Sequence, residues 1–167
     1  MYNRYAESAR VNWTLNFAAS DPQHKAEWME LMTPKSVGLI LRSIKTDYKF
    51  VSCARYWSSW RLAEFLKHKP TQDTDHFILD VLILSEAQRR PAARCTEDIV
   101  VYDYRTAKKS PLPSFMIQKF QDTFNLQEQA KDKNSIRVRG LLDRVRELEK
   151  GSWDRPDAKE DFGSAAP

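Results

Sequence analysis

The sequence predicts an α+β fold in which one long helix packs on a curved antiparallel sheet. Two patterns carry that reading. Across residues 2–17, Tyr2, Tyr5 or Ala6, Ala9, Trp13 and Phe17 recur at three- and four-residue steps, which stacks them on one helix face. Further on, residues 36–50 and 93–104 alternate with the period of a strand, and 76–84 is a nearly unbroken apolar run of strand length. Ala6 and Ala9 are small residues set between large aromatics, so the helix can come close to a surface that curves with it.

In chain order, the first helix has only Asn3 as a nearby capping side chain, and its pattern is already running at residue 2, as if the chain begins in mid-element. Residues 18–23 break the helix, with Ser20 or Asp21 as a cap and Pro22 at the first helical position of the next element. A short helix or loop at 24–32 ends at Pro34. The strand 36–50 is apolar on both faces at its start, which predicts a central place in the sheet, and its later lysines predict an end near solvent. Residues 51–69 keep a rough helical period through Trp57, Trp60, Ala63, Glu64, Phe65 and Leu66 without a strong cap on either flank, so that stretch is read as helix or irregular. After a loop at 70–75, the run 76–84 has the profile of a strand covered on both faces, interrupted only by Asp80. A turn at 85–91 joins it to 93–104 as an antiparallel hairpin. Pro111 and Pro113 then forbid either ladder or helix to continue.

From Ser114, the residues Phe115, Ile117, Phe120 and Phe124 mark a helix to about Lys131. Asn134 opens a second, with Val138, Leu141, Leu142, Val145 and Leu148 as a stripe flanked by Arg137, Arg139, Arg144 and Arg146, and Gly151 stops it. Such a helix closes on its own sheet, or meets RNA or a partner helix. Residues 151–167 hold too little apolar material to fold and are expected to be a mobile tail. The predicted organisation is a domain at 1–113 with an atypical 51–69, a helical extension at 114–150, and the tail.

The 167 residues suit one domain that buries a core without metal or disulfide help. No apolar run approaches the ~20 residues needed to cross a bilayer. Cys53 and Cys95 have no metal-type spacing and are read as reduced thiols of an intracellular protein, which leaves no zinc ligand set. The net charge of +4 suits an anionic ligand such as a phosphorylated cofactor and is weak for nucleic acid.

A helix of this kind followed by long antiparallel strands is a hotdog layout, and particular residues extend the likeness. Tyr2, Tyr5, Glu7, Ala9, Arg10 and Trp13 resemble the Y-x-x-[YF]-x-E-x-A-R-x-x-[WY] signature on the central helix of 4-hydroxybenzoyl-CoA thioesterase-like hotdog proteins. The strand IKTDYKF resembles that family's second long strand, and IVVYDYRTAKKSPLP its closing strand with an Asp-x-x-Thr turn and a Pro-x-Pro exit. The resemblance covers residues 2–113 with a gap in the middle. It implies hydrolysis of acyl-CoA thioesters, with coenzyme A entering only as part of the substrate and no separate cofactor. It also implies a homodimer or homotetramer, and an intracellular, cytoplasmic or mitochondrial, location. The family's catalytic aspartate and its His/Asn-containing turn precede the helix, and this sequence starts after that point. Residues 51–69 also stand where the family has a Pro-Asp turn and the next strand. Both departures lead to the expectation of a truncated chain with little or no hydrolysis. The alternative is a non-catalytic hotdog structural or interaction subunit, and a nucleic-acid-associated basic protein is a third class.

Among single residues, Glu7 is the carboxylate that the helix would point toward a sheet–helix cleft, as base or nucleophile; a pair with Arg10 is the plainer role. Arg89 and Arg90, with Arg94 near them, or Lys108 and Lys109, are candidates to meet the phosphates of coenzyme A, against plain solvated loop charge. Asp80 is read as marking the solvent-facing side of its strand. His24, His68 and His76 form no triad, and Cys95 is a packing residue.

Overall fold

The structure, a computed structural model, describes residues 2–49 and 60–154. It is an α+β hotdog fold: α1 (Tyr2–Ser20), a 3-10 turn (Pro22–His24), α2 (Lys25–Glu30), strands β1 (Val37–Tyr48), β2 (Trp60–Leu66), β3 (His76–Ser85), β4 (Arg90–Asp103) and β5 (Lys108–Lys109), then α3 (Ser114–Ser152). The chain divides into two compact units, residues 1–125 and 126–167.

In the first unit the sheet is antiparallel throughout, in the order β1-β4-β3-β2, with β5 beside the end of β4. Helix α1 lies against β2, β3 and β4. Its close approach follows from Ala6 and Ala9, which are buried where a larger side chain would hold the helix off. On the sheet, Phe77, Leu79, Val81 and Ile83 of β3 and Ala93, Cys95, Ile99 and Val101 of β4 are all buried, every second residue, as the pleat dictates. Aromatic rings close the end of this core. Phe17 stacks on Trp28 at 4.9 Å, Trp13 lies 5.0 Å from Phe120, and Phe120 meets Phe77 edge-on at 4.9 Å.

Several expectations need correction. The strand β1 pairs only with β4 among the described strands, so it stands at an edge and not at the centre. Its doubly apolar start has another cause: the outer cover comes from the α2–β1 link and Tyr104. At Gly38 an added Cβ would sit 2.8 Å from the Tyr104 ring and 3.0 Å from the Thr33 carbonyl. The stretch read as helix or irregular ends in β2, fully laddered with β3; residues 51–59, with Cys53 and Trp57, lie outside the described residues. Asp21 occupies the N-cap position before Pro22 but makes no side-chain capping bond. Its carboxylate instead accepts from Trp28 Nε1 at 3.2 Å and from His24 Nδ1 at 3.1 Å. Lys108 and Lys109, expected in a simple exit segment, form β5, reached through Ala107 at φ 54°.

The two expected C-terminal helices are one. Residues Lys131, Asp132, Lys133 and Asn134 lie inside α3, because a polar run without proline or glycine interrupts the apolar stripe but not the backbone hydrogen bonds. The first turns of α3 contribute Met116 and Phe120 to the core of the first unit. In the second unit Val138, Leu141, Leu142, Val145 and Leu148 are all exposed. Most of the tail at 151–167 lies outside the described residues. No helix among the described residues is long and apolar enough to cross a membrane.

Candidate active site between helix and sheet

Strand parity brings carboxylates under α1. In β4, Glu97 has the parity of Cys95, Ile99 and Val101, so it faces the helix and is wholly buried. In β2, Glu64 shares the parity of Leu62 and Leu66 and is partly buried. Opposite them, Arg10 follows Ala6 by one helical turn and precedes buried Thr14 by another, so it projects toward the sheet and not into solvent. Arg10 Nη1 donates to Glu97 Oε2 at 2.7 Å. A buried carboxylate of this kind requires such a partner.

The pairing leaves oxygens over. Glu97 Oε1 and Glu64 Oε1 are both buried and accept no hydrogen bond. Burial first, and then the negative charge of Glu97, push the Glu64 carboxyl up to about 7, with Arg10 pulling the other way. A carboxyl with that affinity is divided between acid and base near neutral pH, the condition for efficient proton transfer. Next along the same face, the Cys95 thiol is also raised, by burial foremost and by the charge of Glu97, against the effect of Thr46 Oγ1 3.5 Å away. Cys95 is therefore a neutral packing thiol and not a nucleophile. Thr46 Oγ1 donates to Asn3 Oδ1 at 2.9 Å, which continues the polar seam to the start of α1.

The residues singled out by sequence are differently placed. Glu7 is exposed rather than turned to the sheet, and Arg10, its expected partner, is engaged by Glu97. Arg89 lies in the β3–β4 turn with a φ of 48° and Arg90 opens β4 opposite Ser85, the two lining a groove of about 390 Å³ with Leu84, Ser85, Glu86 and Pro91. Lys108 and Lys109 sit beside the other end of β4, opposite Asp103 and Tyr102, and Lys109 Nζ is 3.5 Å from Asp75. From Arg90 to Tyr102 is roughly 40 Å of strand at ~3.3 Å per residue, so the two basic sets serve separate places. Asp80 faces away from the helix in an ion pair with Arg94. His24 stacks on Phe115, His76 holds Asp75, and His68 is exposed in a loop, three separate surroundings. Among the described residues, no group of three or more His, Cys, Asp or Glu is arranged to hold a metal ion. Glu64 and Glu97 were missed by the sequence reading. Counting alternate residues back from Ile99 and Val101 finds Glu97, while Glu64 lay hidden in the stretch read as helix or irregular.

Comparison with known proteins sets the chain in a family. The 1,4-dihydroxy-2-naphthoyl-CoA thioesterase of Synechocystis superposes with a TM-score of 0.53 at 16% identity, over 75% of this chain and 84% of that one. A Staphylococcus aureus protein solved in complex with CoA gives 0.53 at 11% identity, over 74% and 68%. A probable thioesterase of Escherichia coli gives 0.52 at 18%, over 74% and 82%. Identities this low speak for the fold alone. No curated protein matches the sequence. The sequence profile described as "Thioesterase-like superfamily" matches residues 1–120, and on that match the chain belongs to the thioesterase-like superfamily.

Proposed function

We propose that the protein hydrolyses acyl-CoA thioesters, with Glu64 as the general base. The observation that carries the reading is the Glu64 carboxyl, pushed up to about 7 with Oε1 buried and unbonded beside the Arg10–Glu97 pair. Its ionised form takes a proton from water as the oxygen attacks the thioester carbonyl, and its acid form returns that proton to the departing thiolate. Arg10, with five N–H donors and Nη1 committed to Glu97, is the cation assigned to the oxyanion. Arg89 and Arg90 are the set assigned to the coenzyme A phosphates; what supports it is that Ser85, the ladder partner of Arg90, lies about 13 Å along β3 from Val81, the partner of Glu64. Lys108 and Lys109 sit too far along β4 to join them. The homodimer or homotetramer implied by the resemblance belongs to the same proposal.

This base stands apart from the aspartate that the resemblance led one to seek, and on this reading the chain is active, where the expectation was little or no hydrolysis. The test is thiol release from short, long and aromatic acyl-CoAs by the full chain, with Glu64→Gln and Glu7→Gln beside it. Turnover should follow an apparent pKa near 7. Glu64→Gln should lower kcat about 100-fold or more, and Glu7→Gln should leave it unchanged. Turnover that survives Glu64→Gln would overturn the assignment; no turnover on any substrate would favour the non-catalytic subunit.

A further inference from the structure

The second unit carries the later turns of α3, where Val138, Leu141, Val145 and Leu148 follow one another at steps of three, four and three residues. They expose 52%, 49%, 49% and 72% of their surface. Steps of this kind repeat every seven residues, which keeps the apolar seam on one side of a helix wound about another helix. We propose that this stretch pairs, parallel and in register, with the same stretch of a second copy of the chain.

Two features select that occupant. The first is shape. Val138 and Val145 fall at the a positions and Leu141 and Leu148 at d, and β-branched residues at a with leucine at d favour two parallel strands. The second is charge. In this frame Arg144 falls at g and Glu149 at the following e, so in a parallel pair each Arg144 faces the other copy's Glu149, twice by symmetry. An antiparallel pair would set g against g and bring Arg137 of one copy near Arg144 of the other, a repulsive contact. Leu142, at e, widens the seam on one side. Away from the seam, Asp143 and Arg146 already pair with each other at 3.7 Å. Nucleic acid is the poorer occupant, because Asp143, Glu147 and Glu149 are interleaved with the arginines where a continuous basic stripe is required. Two heptads are few for a free peptide, but α3 is already helical in each chain, so pairing does not carry the cost of nucleating it.

Disulfide trapping in the full chain isolates this contact from association through any other surface. In a Cys53→Ser background, Leu141→Cys and Leu148→Cys should each give covalent dimers under mild oxidation, whereas Asp143→Cys, on the outer side, and that background alone should not. Adding Glu149→Arg to Leu141→Cys should cut the trapping rate about five- to tenfold, and adding Arg144→Glu to that variant should restore it. Circular dichroism establishes that each variant keeps its helix. Trapping at Asp143→Cys equal to that at Leu141→Cys overturns the proposal. So does preferential trapping of Leu141→Cys with Val145→Cys in a mixture, which marks an antiparallel pair, or failure of the charge exchange to restore the rate. RNA retention by a chain that shows no trapping at Leu141→Cys also overturns it.

Discussion

Arg10 of α1 and Glu97 of β4 meet at 2.7 Å beneath the helix, with the carboxylate wholly out of solvent. Removing one partner strands the other charge in the core. Arg10→Met should therefore cost about 3–5 kcal/mol in urea unfolding, while adding Glu97→Met should recover most of it, since an apolar pair of similar bulk is often neutral or better. A double variant as unstable as the single one would show that the seam depends on more than this pair.

Glu64 makes stability depend on pH in an unusual direction. Its folded carboxyl is raised from 4.5 to about 7, so between those values the folded state holds a proton that the unfolded state has released. This contribution favours folding at low pH, falls as pH rises through that window, and is constant above it. The full shift corresponds to about 3 kcal/mol at ~1.4 kcal/mol per unit, and partial solvent screening reduces it. Glu64→Gln should thus raise the melting temperature at pH 8 and change it little at pH 4.5. An equal change at both values would mean that the carboxyl titrates normally.

Gly38 is required for the space it leaves and not for its backbone conformation. The Tyr104 ring can swing away from a new Cβ, but the Thr33 carbonyl at 3.0 Å is backbone. Gly38→Ala should destabilise by about 1–3 kcal/mol, the usual cost of overpacking. Tyr104→Ala in the same chain should relieve only part of that loss, as read by the denaturation midpoint.

Gly140 is the opposite case. It lies in the interior of α3 with nothing within 4 Å of an added Cβ. Gly140→Ala should increase helicity and stabilise α3 by about 0.5–1 kcal/mol. A decrease in helicity at 222 nm would place this stretch of α3 in another conformation.

The elements legible in the sequence were those whose period was undisturbed. In α1 the aromatic and alanine stripe has no competing polar residue at its inward positions until Arg10, and in β3 the apolar run is bounded by turn residues. The strand β2 was obscured because Ala63 and Phe65 on one face and Leu62 and Leu66 on the other are all apolar, which hides a period of two. Phe65 is in fact 45% exposed, a position its residue type conceals. The edge position of β1 was illegible for a different reason. Its cover comes from Leu31, Thr33 and Tyr104, contacts that a local pattern does not encode. The candidate site was half visible: the parity of β4 fixes where Glu97 points, but only the assembled fold sets Arg10 opposite it and Glu64 alongside.

The strand order has a consequence for synthesis. Tyr48 pairs with Ala93 and Val37 with Asp103, so β1 leaves the ribosome long before its ladder partner exists. At ~5–20 residues per second the interval is about 2–13 s. During that time the nascent chain displays Val37, Leu39, Ile40, Leu41 and Ile44 on a strand with both edges open, the kind of segment that templates aggregation. A chaperone that holds extended apolar segments would find purchase here, and release would be timed by the arrival of β4.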